Sequence, residues 1–259
     1  MTPMTVRTIA LMSFRRAFAE RTTLVWRVLL YLVIIGVITS LWRVATDETG
    51  EIAGYSWMSL VWYFAYSEGT VVGVDSRLID TVGTEIATGD IAADMLRPIS
   101  VVGLKIATEI GATLARTTFM LACGSVFAVV LVGGPSDLWA IPLAVLASFL
   151  GVTVNVVFSY VAGGAAFWAS DSKAAWFLYQ KLVFLLGGLL IPLQILPAWM
   201  GAAAAYLPFW TMSYAPARIA SGHFEPWLLA GQVAWLLAGC GLASVIYERG
   251  ERRLVVAGG

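Results

Sequence analysis

The sequence predicts an all-α integral membrane protein with six transmembrane helices in a single domain, residues 1–259. Hydrophobic residues make up 59% of the chain and charged residues only 12%, with a mean hydropathy of +0.83. Soluble domains carry about 25% charged residues. Six apolar runs reach the roughly 20 residues that a helix needs to cross a bilayer core about 30 Å thick. These predicted spans are about 24–44, 55–74, 101–132, 138–169, 174–196 and 226–247.

Residues 4–22, before the first run, are predicted to form an amphipathic helix that lies in the inner membrane interface. Val6 and Ile9 fall on one side of this helix, whereas Arg7 and Arg15 fall elsewhere. An ordinary cytoplasmic tail is the alternative. Because the first apolar run is too long for the core of a signal peptide, we expect it to remain in the membrane.

The distribution of charge predicts that both termini are cytoplasmic. Positively charged residues accumulate in cytoplasmic loops, and with this orientation only Arg43 and Arg218 among the basic loop residues fall on the outer side. The outer loops are instead acidic, as at Asp47 and Glu48. The formal net charge is zero, so nothing in the charge balance indicates a nucleic-acid partner.

Residues 75–100, DSRLIDTVGTEIATGDIAADMLRPIS, form the only sizeable inner loop and predict two short amphipathic helices. Gly89 separates the two helices, Asp90 can cap the second and Pro98 ends it. The first helix has apolar residues every four positions, at Leu78, Val82 and Ile86, and the second carries Ile91, Met95 and Leu96. Since short helices that expose apolar residues are marginal alone, we expect a docking surface. The alternative is that the segment packs on the inner leaflet or on the chain's own helices.

The pattern I-x-x-G-D-I-x-x-x-x-L-R-P-I in this loop resembles the coupling region of bacterial type-2 ABC exporter permeases, within the short six-span branch of viologen and multidrug-type exporters. The residues that carry it are Ile86, Gly89, Asp90, Ile91, Leu96, Arg97, Pro98 and Ile99. The stretch 191–222 is similar to the same branch. Its matching residues are Pro192, Leu196, Pro197, Leu207, Pro208, Phe209, Tyr214, Pro216 and Gly222.

The resemblance implies a cytoplasmic coupling helix after span 2 that inserts into a groove of a separate ATPase, and re-entrant helices between spans 5 and 6, over 197–225. It further implies a bacterial inner-membrane exporter made of two permeases, identical or homologous, with a partner ABC ATPase dimer that holds ATP and Mg²⁺. No GxxxxGK[ST] motif occurs in the chain, so we expect no cofactor here. Residues 197–225 suit a re-entrant role on their own chemistry, because they are too apolar for a free loop and too broken by prolines to span.

Ionisable residues inside predicted spans are candidates for the substrate pathway. They are Arg27, Glu68, Glu109 and Arg116. Glu68 lies among aromatic residues and could receive an organic cation, or it could pair with Arg27. Glu109 and Arg116 are seven residues apart on one helix face, where a structural ion pair is the alternative.

Two other functional classes fit the sequence less well. An ion-gradient-driven carrier or channel favours inverted repeats with paired broken helices, whereas the proline-broken stretch occurs once here. The chain lacks the residue clusters that a membrane-embedded enzyme or a metal site needs. His223 is its only histidine, and Cys123 and Cys240 have no metal-binding spacing. The sequence therefore predicts a transport subunit for a hydrophobic or organic-cation-like substrate, and the resemblance implies that it exports this substrate by alternating access.

Overall fold

The structure is a computed structural model that describes residues 3–17, 21–90, 101–169 and 172–257, and it is built from helices. In chain order they are α1 (Pro3–Ala17), α2 (Arg21–Asp47), α3 (Trp57–Gly73), α4 (Leu78–Ala87), α5 (Val101–Val132), α6 (Ala140–Gly163), α7 (Lys173–Leu186), α8 (Ala198–Ala205), α9 (Tyr214–Ala220) and α10 (Pro226–Ala257). Short 3₁₀ helices occupy Gly164–Phe167, Leu193–Ile195 and Pro208–Thr211. The predicted all-α class is confirmed.

Four segments of the described chain are long and apolar enough to cross a membrane. They are Thr22–Asp47, Val102–Val132, Ala140–Phe167 and Pro226–Gly250, which match the first, third, fourth and sixth predicted spans. Helix α3 coincides with the second predicted span but has 17 residues, about 26 Å at 1.5 Å per residue. The protein is therefore a multi-pass membrane protein, and the number of six spans stays a prediction.

The helix at the fifth predicted span, 174–196, is shorter than the apolar run. Helix α7 has 14 residues and ends at Leu186. Gly188 then adopts a φ of +72°, which glycine tolerates and other residues rarely adopt. Pro192 precedes the next 3₁₀ helix. Hydropathy alone could not show this end, because the residues that turn the chain are themselves apolar.

A β-hairpin between α2 and α3 is a feature that the sequence did not predict. Glu51–Ile52 pairs antiparallel with Tyr55–Ser56, and the two turn residues Ala53 and Gly54 have φ values of 52° and 81°, as two-residue hairpin turns require. The hydroxyl of Ser56 then accepts a hydrogen bond from the Ser59 amide and caps α3.

Helix α3 forms the centre of the fold. Residues 60–68 are at most 4% exposed, and α2, α5, α6 and α9 pack around the helix. Helix α1 packs along α5, where a Cβ on Gly111 would lie 2.1 Å from the Ala10 carbonyl oxygen. Large apolar side chains such as Val33, Val130 and Leu237 remain on the outer faces. These faces suit contact with lipid chains.

Candidate functional site

Helix α4, the first half of the predicted coupling region, packs on the chain's own helices. Leu78, Val82 and Ile86 are 7%, 3% and 3% exposed and share an apolar cluster with residues of α6 and α10. A groove receives them, since a Cβ on Gly163 would meet the Val82 side chain at 2.8 Å. The sequence left open whether these three residues contact a partner protein or pack on the inner leaflet or on the chain's own helices. The structure shows packing on the chain's own helices. Burying each one contributes about 1.5–3 kcal/mol.

The opposite face of α4 is polar and exposed. Arg77, Thr81, Thr84 and Thr88 lie on it at intervals of four, three and four residues, and all are exposed. Gly89 follows with a φ of 80° and ends the helix. Asp90 is exposed and accepts a hydrogen bond from the Thr88 hydroxyl at 2.7 Å. The other predicted coupling residues, Ile91, Leu96, Arg97 and Pro98, lie outside the described residues.

Polar contacts attach the α4 region to helices on both sides. Glu85 forms an ion pair with Lys105 of α5 at 2.7 Å. The carbonyl oxygen of Ser76, just before α4, accepts hydrogen bonds from the side chains of Trp176 and Gln180 on α7. Helix α4 also packs on α6, so the α4 region contacts three other helices.

Two of the candidate pathway residues cap the C-terminal end of α3. Arg27 Nη1 of α2 donates to the carbonyl oxygens of Val72 at 3.1 Å and Val74 at 3.4 Å. Arg116 Nε of α5 donates to the Gly73 carbonyl oxygen at 2.9 Å. The last carbonyls of a helix lack partners within the helix and carry partial negative charge. The two guanidinium groups therefore stabilise α3 in its place.

Glu109 and Arg116 form the ion pair that was the alternative to a pathway role. Arg116 Nη2 donates to Glu109 Oε1, and the two side chains are only 15% and 20% exposed. Thr113 lies between them, receiving a bond from Arg116 at 2.9 Å and donating one to Glu109 at 3.1 Å. These bonds favour a structural role for both residues.

Glu68 differs from the other three candidates. Its side chain is 4% exposed, and within the described part of the chain it forms neither a hydrogen bond nor an ion pair. Arg27, the partner that the sequence offered, instead donates to the carbonyls of α3. Glu68 thus stays a candidate for contact with a cation.

The segment between α7 and α10 folds as short helical pieces. Of the residues predicted here, Pro208, Phe209, Tyr214 and Pro216 are buried. Pro192 and Pro197 each directly precede a short helix, where the fixed φ of proline is favourable. The depth of this segment in a membrane stays a prediction.

A hydrogen-bonded cluster joins this segment to the β-hairpin, and the sequence did not predict it. Arg218 donates to Glu225 Oε1 at 2.7 Å and to Tyr55 Oη at 2.9 Å. Tyr55 in turn donates to Gln194 at 3.4 Å, and Gln194 contacts the Tyr214 hydroxyl. The only signal in the sequence was that Arg218 is one of two basic residues in the outer loops.

The donors around Glu225 also set its charge state. Hydrogen bonds from Trp227 and Arg218 lower the pKa of Glu225 below its usual value. Burial and the positive charge of Arg218 lower the pKa of His223, whose ring lies 5.0 Å from that of Tyr55. At neutral pH the cluster therefore contains a charged Arg218–Glu225 pair and a neutral imidazole.

A cavity of about 210 Å³ opens where α3 meets α4, between α6 and α7. Its walls are mostly apolar, with Val71, Val183 and Leu189 among them. Asn155 and Tyr179 supply polar groups inside it. Glu68 is not part of its lining, so the predicted pathway residues and this cavity are separate features.

Comparison with known protein families identifies the chain. Residues 32–258 match the family model described as ABC-2 family transporter protein. The chain belongs to the ABC-2 transporter family. A comparison with curated proteins found no match. The match covers every described helix except α1 and the beginning of α2.

Family membership makes the chain the membrane component of an ABC transporter and implies an ABC ATPase subunit as its partner. In this ABC-2 permease, α4 occupies the place of the predicted coupling region and is attached to α5, α6 and α7. No group of three or more histidine, cysteine, aspartate or glutamate side chains that could hold a metal ion occurs among the residues that the structure describes.

Proposed function

We propose that this protein is the transmembrane subunit of an ATP-driven exporter in a bacterial inner membrane, with both termini in the cytoplasm. It moves a hydrophobic or organic-cation-like molecule outward by alternating access. A separate ATPase dimer binds ATP and Mg²⁺ and supplies the energy, and a second permease, identical or homologous, completes the transporter. The attachment of α4 to three helices while one of its faces stays exposed is the observation that carries this proposal.

The exposed face of α4 is the part of the described coupling region that can contact the ATPase. Arg77, Thr81, Thr84 and Thr88 present a charged group and hydroxyls, which suit hydrogen bonds with a polar groove. The buried Leu78, Val82 and Ile86 instead fix α4 to the permease. Residues 91–98 follow α4 in the sequence, and we propose them as further contacts.

Closure of the ATPase dimer on ATP displaces α4 in this mechanism. The Glu85–Lys105 ion pair, the bonds to the Ser76 carbonyl and the Val82 contact at Gly163 transmit the displacement to α5, α7 and α6. ATP shifts the balance between inward-open and outward-open states only by its difference in affinity for the two states.

Co-purification of the ATPase with variants of the permease tests this proposal. Replacing both Thr81 and Thr84 by arginine places two large charged side chains in the contact and should remove most of the ATPase from the purified complex. Thr49→Arg provides a control, because Thr49 is an exposed threonine in the turn that follows α2, within a predicted outer loop. Equal ATPase recovery from all variants, or transport by the permease in liposomes without any ATPase, would overturn the proposal.

A further inference from the structure

The cavity at the junction of α3 and α4 contains a polar group with unused bonding capacity. Asn155 is 5% exposed. Its side-chain oxygen accepts hydrogen bonds from Tyr179 Oη at 2.8 Å and from Ser159 Oγ at 3.5 Å. Its side-chain nitrogen donates to no atom in the described part of the chain. One half of the amide thus ties α6 to α7, and the other half offers a donor.

This nitrogen is accessible from the cavity. In the described chain, the fully enclosed side-chain atoms without a hydrogen-bond partner belong to Trp62, Thr117, Trp210 and Gln232. The Asn155 nitrogen is not among them, and Asn155 lines the cavity. A donor that lines a cavity and has no partner in the protein is satisfied by an acceptor that enters the cavity.

The charges of the cavity wall balance. Asp75 and Lys181 are its acidic and basic members. The ammonium group of Lys181 lies 5.1 Å from the centre of the Phe177 ring, and Asp75 accepts a hydrogen bond from the Arg77 amide at 3.0 Å. With one charge of each sign and mostly apolar walls, the cavity has no net formal charge that would favour a cation.

We propose that this cavity binds a neutral amphiphilic molecule that carries a carbonyl, ether or hydroxyl acceptor on an apolar body. The acceptor receives a hydrogen bond from Asn155, and the apolar body contacts Val71, Val183 and Leu189. The inference rests on the proposed function in that the ligand is the transported substrate. It narrows the proposed substrate class from hydrophobic or organic-cation-like molecules to neutral molecules that carry a hydrogen-bond acceptor.

A ligand in this cavity also contacts the start of the coupling region. Asp75, Ser76 and Ile79 belong to its wall, and Ser76 is the residue whose carbonyl holds α7. An occupant therefore touches both the side chains that recognise it and the segment that the ATPase moves.

Photolabelling of the full-length protein in nanodiscs with benzophenone tests the site. Benzophenone has a carbonyl acceptor between two apolar rings, and on illumination its ketone oxygen takes a hydrogen atom from a C–H group while a C–C bond forms to that carbon. We expect adducts on Val183 and Leu189, which are 5% and 6% exposed and out of reach of lipid. Adducts only on lipid-facing residues such as Val130 and Leu237 would show partition into the bilayer and overturn the proposal.

Variants of the cavity give the second readout. Asn155→Leu removes the donor and should reduce labelling of Val183 about fivefold, the effect of one neutral hydrogen bond. Thr153→Val on the same helix removes a hydroxyl bonded to the Phe149 carbonyl, outside the cavity, and should leave labelling unchanged. Val71→Phe places a larger side chain in the cavity, keeps the Asn155 side chain and should strongly reduce labelling, which keeps the test valid if Asn155→Leu fails to fold. Equal labelling in all variants would overturn the proposal.

Labelling requires no ATPase, so the two proposals can fail separately. Cavity labelling without ATPase association would support the binding site and overturn the proposed exporter. ATPase association without cavity labelling would support the exporter and overturn the binding site.

Discussion

The contact between Gly83 and Ser172 predicts that a substitution at Gly83 lowers stability when Ser172 is present and raises it when the Ser172 side chain is removed. A Cβ on Gly83 would lie 2.3 Å from the Ser172 Cβ and 2.4 Å from its hydroxyl oxygen, more than 1 Å inside normal carbon contact. The next atom, the Ala166 Cβ, is 3.6 Å away. Removing the Ser172 side chain therefore makes room for a methyl group at position 83.

Gly83→Ala alone should lower the free energy of unfolding by about 1–2 kcal/mol. Overpacking costs about 1–3 kcal/mol, and the better helix propensity of alanine returns about 0.5–1 kcal/mol. In a Ser172→Gly background the clash is absent, so the same substitution should raise the free energy of unfolding by about 0.5–1 kcal/mol. The coupling energy between the two sites is then about 2 kcal/mol.

Unfolding by SDS titration in mixed micelles measures the stability of the four proteins of this double-mutant cycle: the unmodified protein, Gly83→Ala, Ser172→Gly and the double variant. Gly241→Ala is the control, because Gly241 is inside α10 and a Cβ there meets no atom within 4 Å. It should stabilise the protein equally with and without Ser172. If Gly83→Ala has the same sign in both backgrounds, α4 does not pack on this part of the chain as described.

Three further predictions concern the outer cluster and the core. Arg218→Lys should lower stability by about 1 kcal/mol, because lysine cannot bind Glu225 and Tyr55 together; the same change at exposed Arg43 is the control for micelle unfolding. Gln232→Leu, which removes two fully buried bonds to backbone carbonyls, should lower it by about 1–2 kcal/mol, and an unchanged midpoint would contradict this. The depressed pKa of His223 predicts stability that is full above pH 6.5 and decreases as the pH falls toward its folded value. His223→Gln should reduce the dependence of the thermal-unfolding midpoint on pH below pH 6.5, and an unaltered dependence would show that His223 is not its source.

Periodicity in the sequence identified α4 but not the surface that its apolar residues contact. The four-residue spacing of Leu78, Val82 and Ile86 correctly indicates an apolar helix face, and it is the same whether a partner protein or α6 covers that face. Gly163 makes the difference by opening a groove on α6. A single glycine in an apolar run carries no sign of what it faces.

The outer cluster shows a second limit of the sequence. Arg218 and Tyr55 are separated by 163 residues, and a hydrogen bond over that distance depends on how the helices pack. The hairpin that places Tyr55 has alanine and glycine in its turn instead of the asparagine-glycine pair that marks such turns most clearly. By contrast, the sequence did offer the ion pair between Glu109 and Arg116 as an alternative to a pathway role, because both residues lie on one helix at a fixed spacing. The structure contains this ion pair.

The nearly complete enclosure of α3 separates it from the surrounding bilayer. Lipid chains reach α2, α5 and α10, whose outer faces are apolar, but they do not reach residues 60–68. A thicker or thinner membrane therefore acts on residues 60–68 of this central helix through the helices packed around it, α2, α5, α6 and α9. Adaptation of the protein to membranes of different thickness is then a matter for its outer helices, while the central one can keep the same side chains.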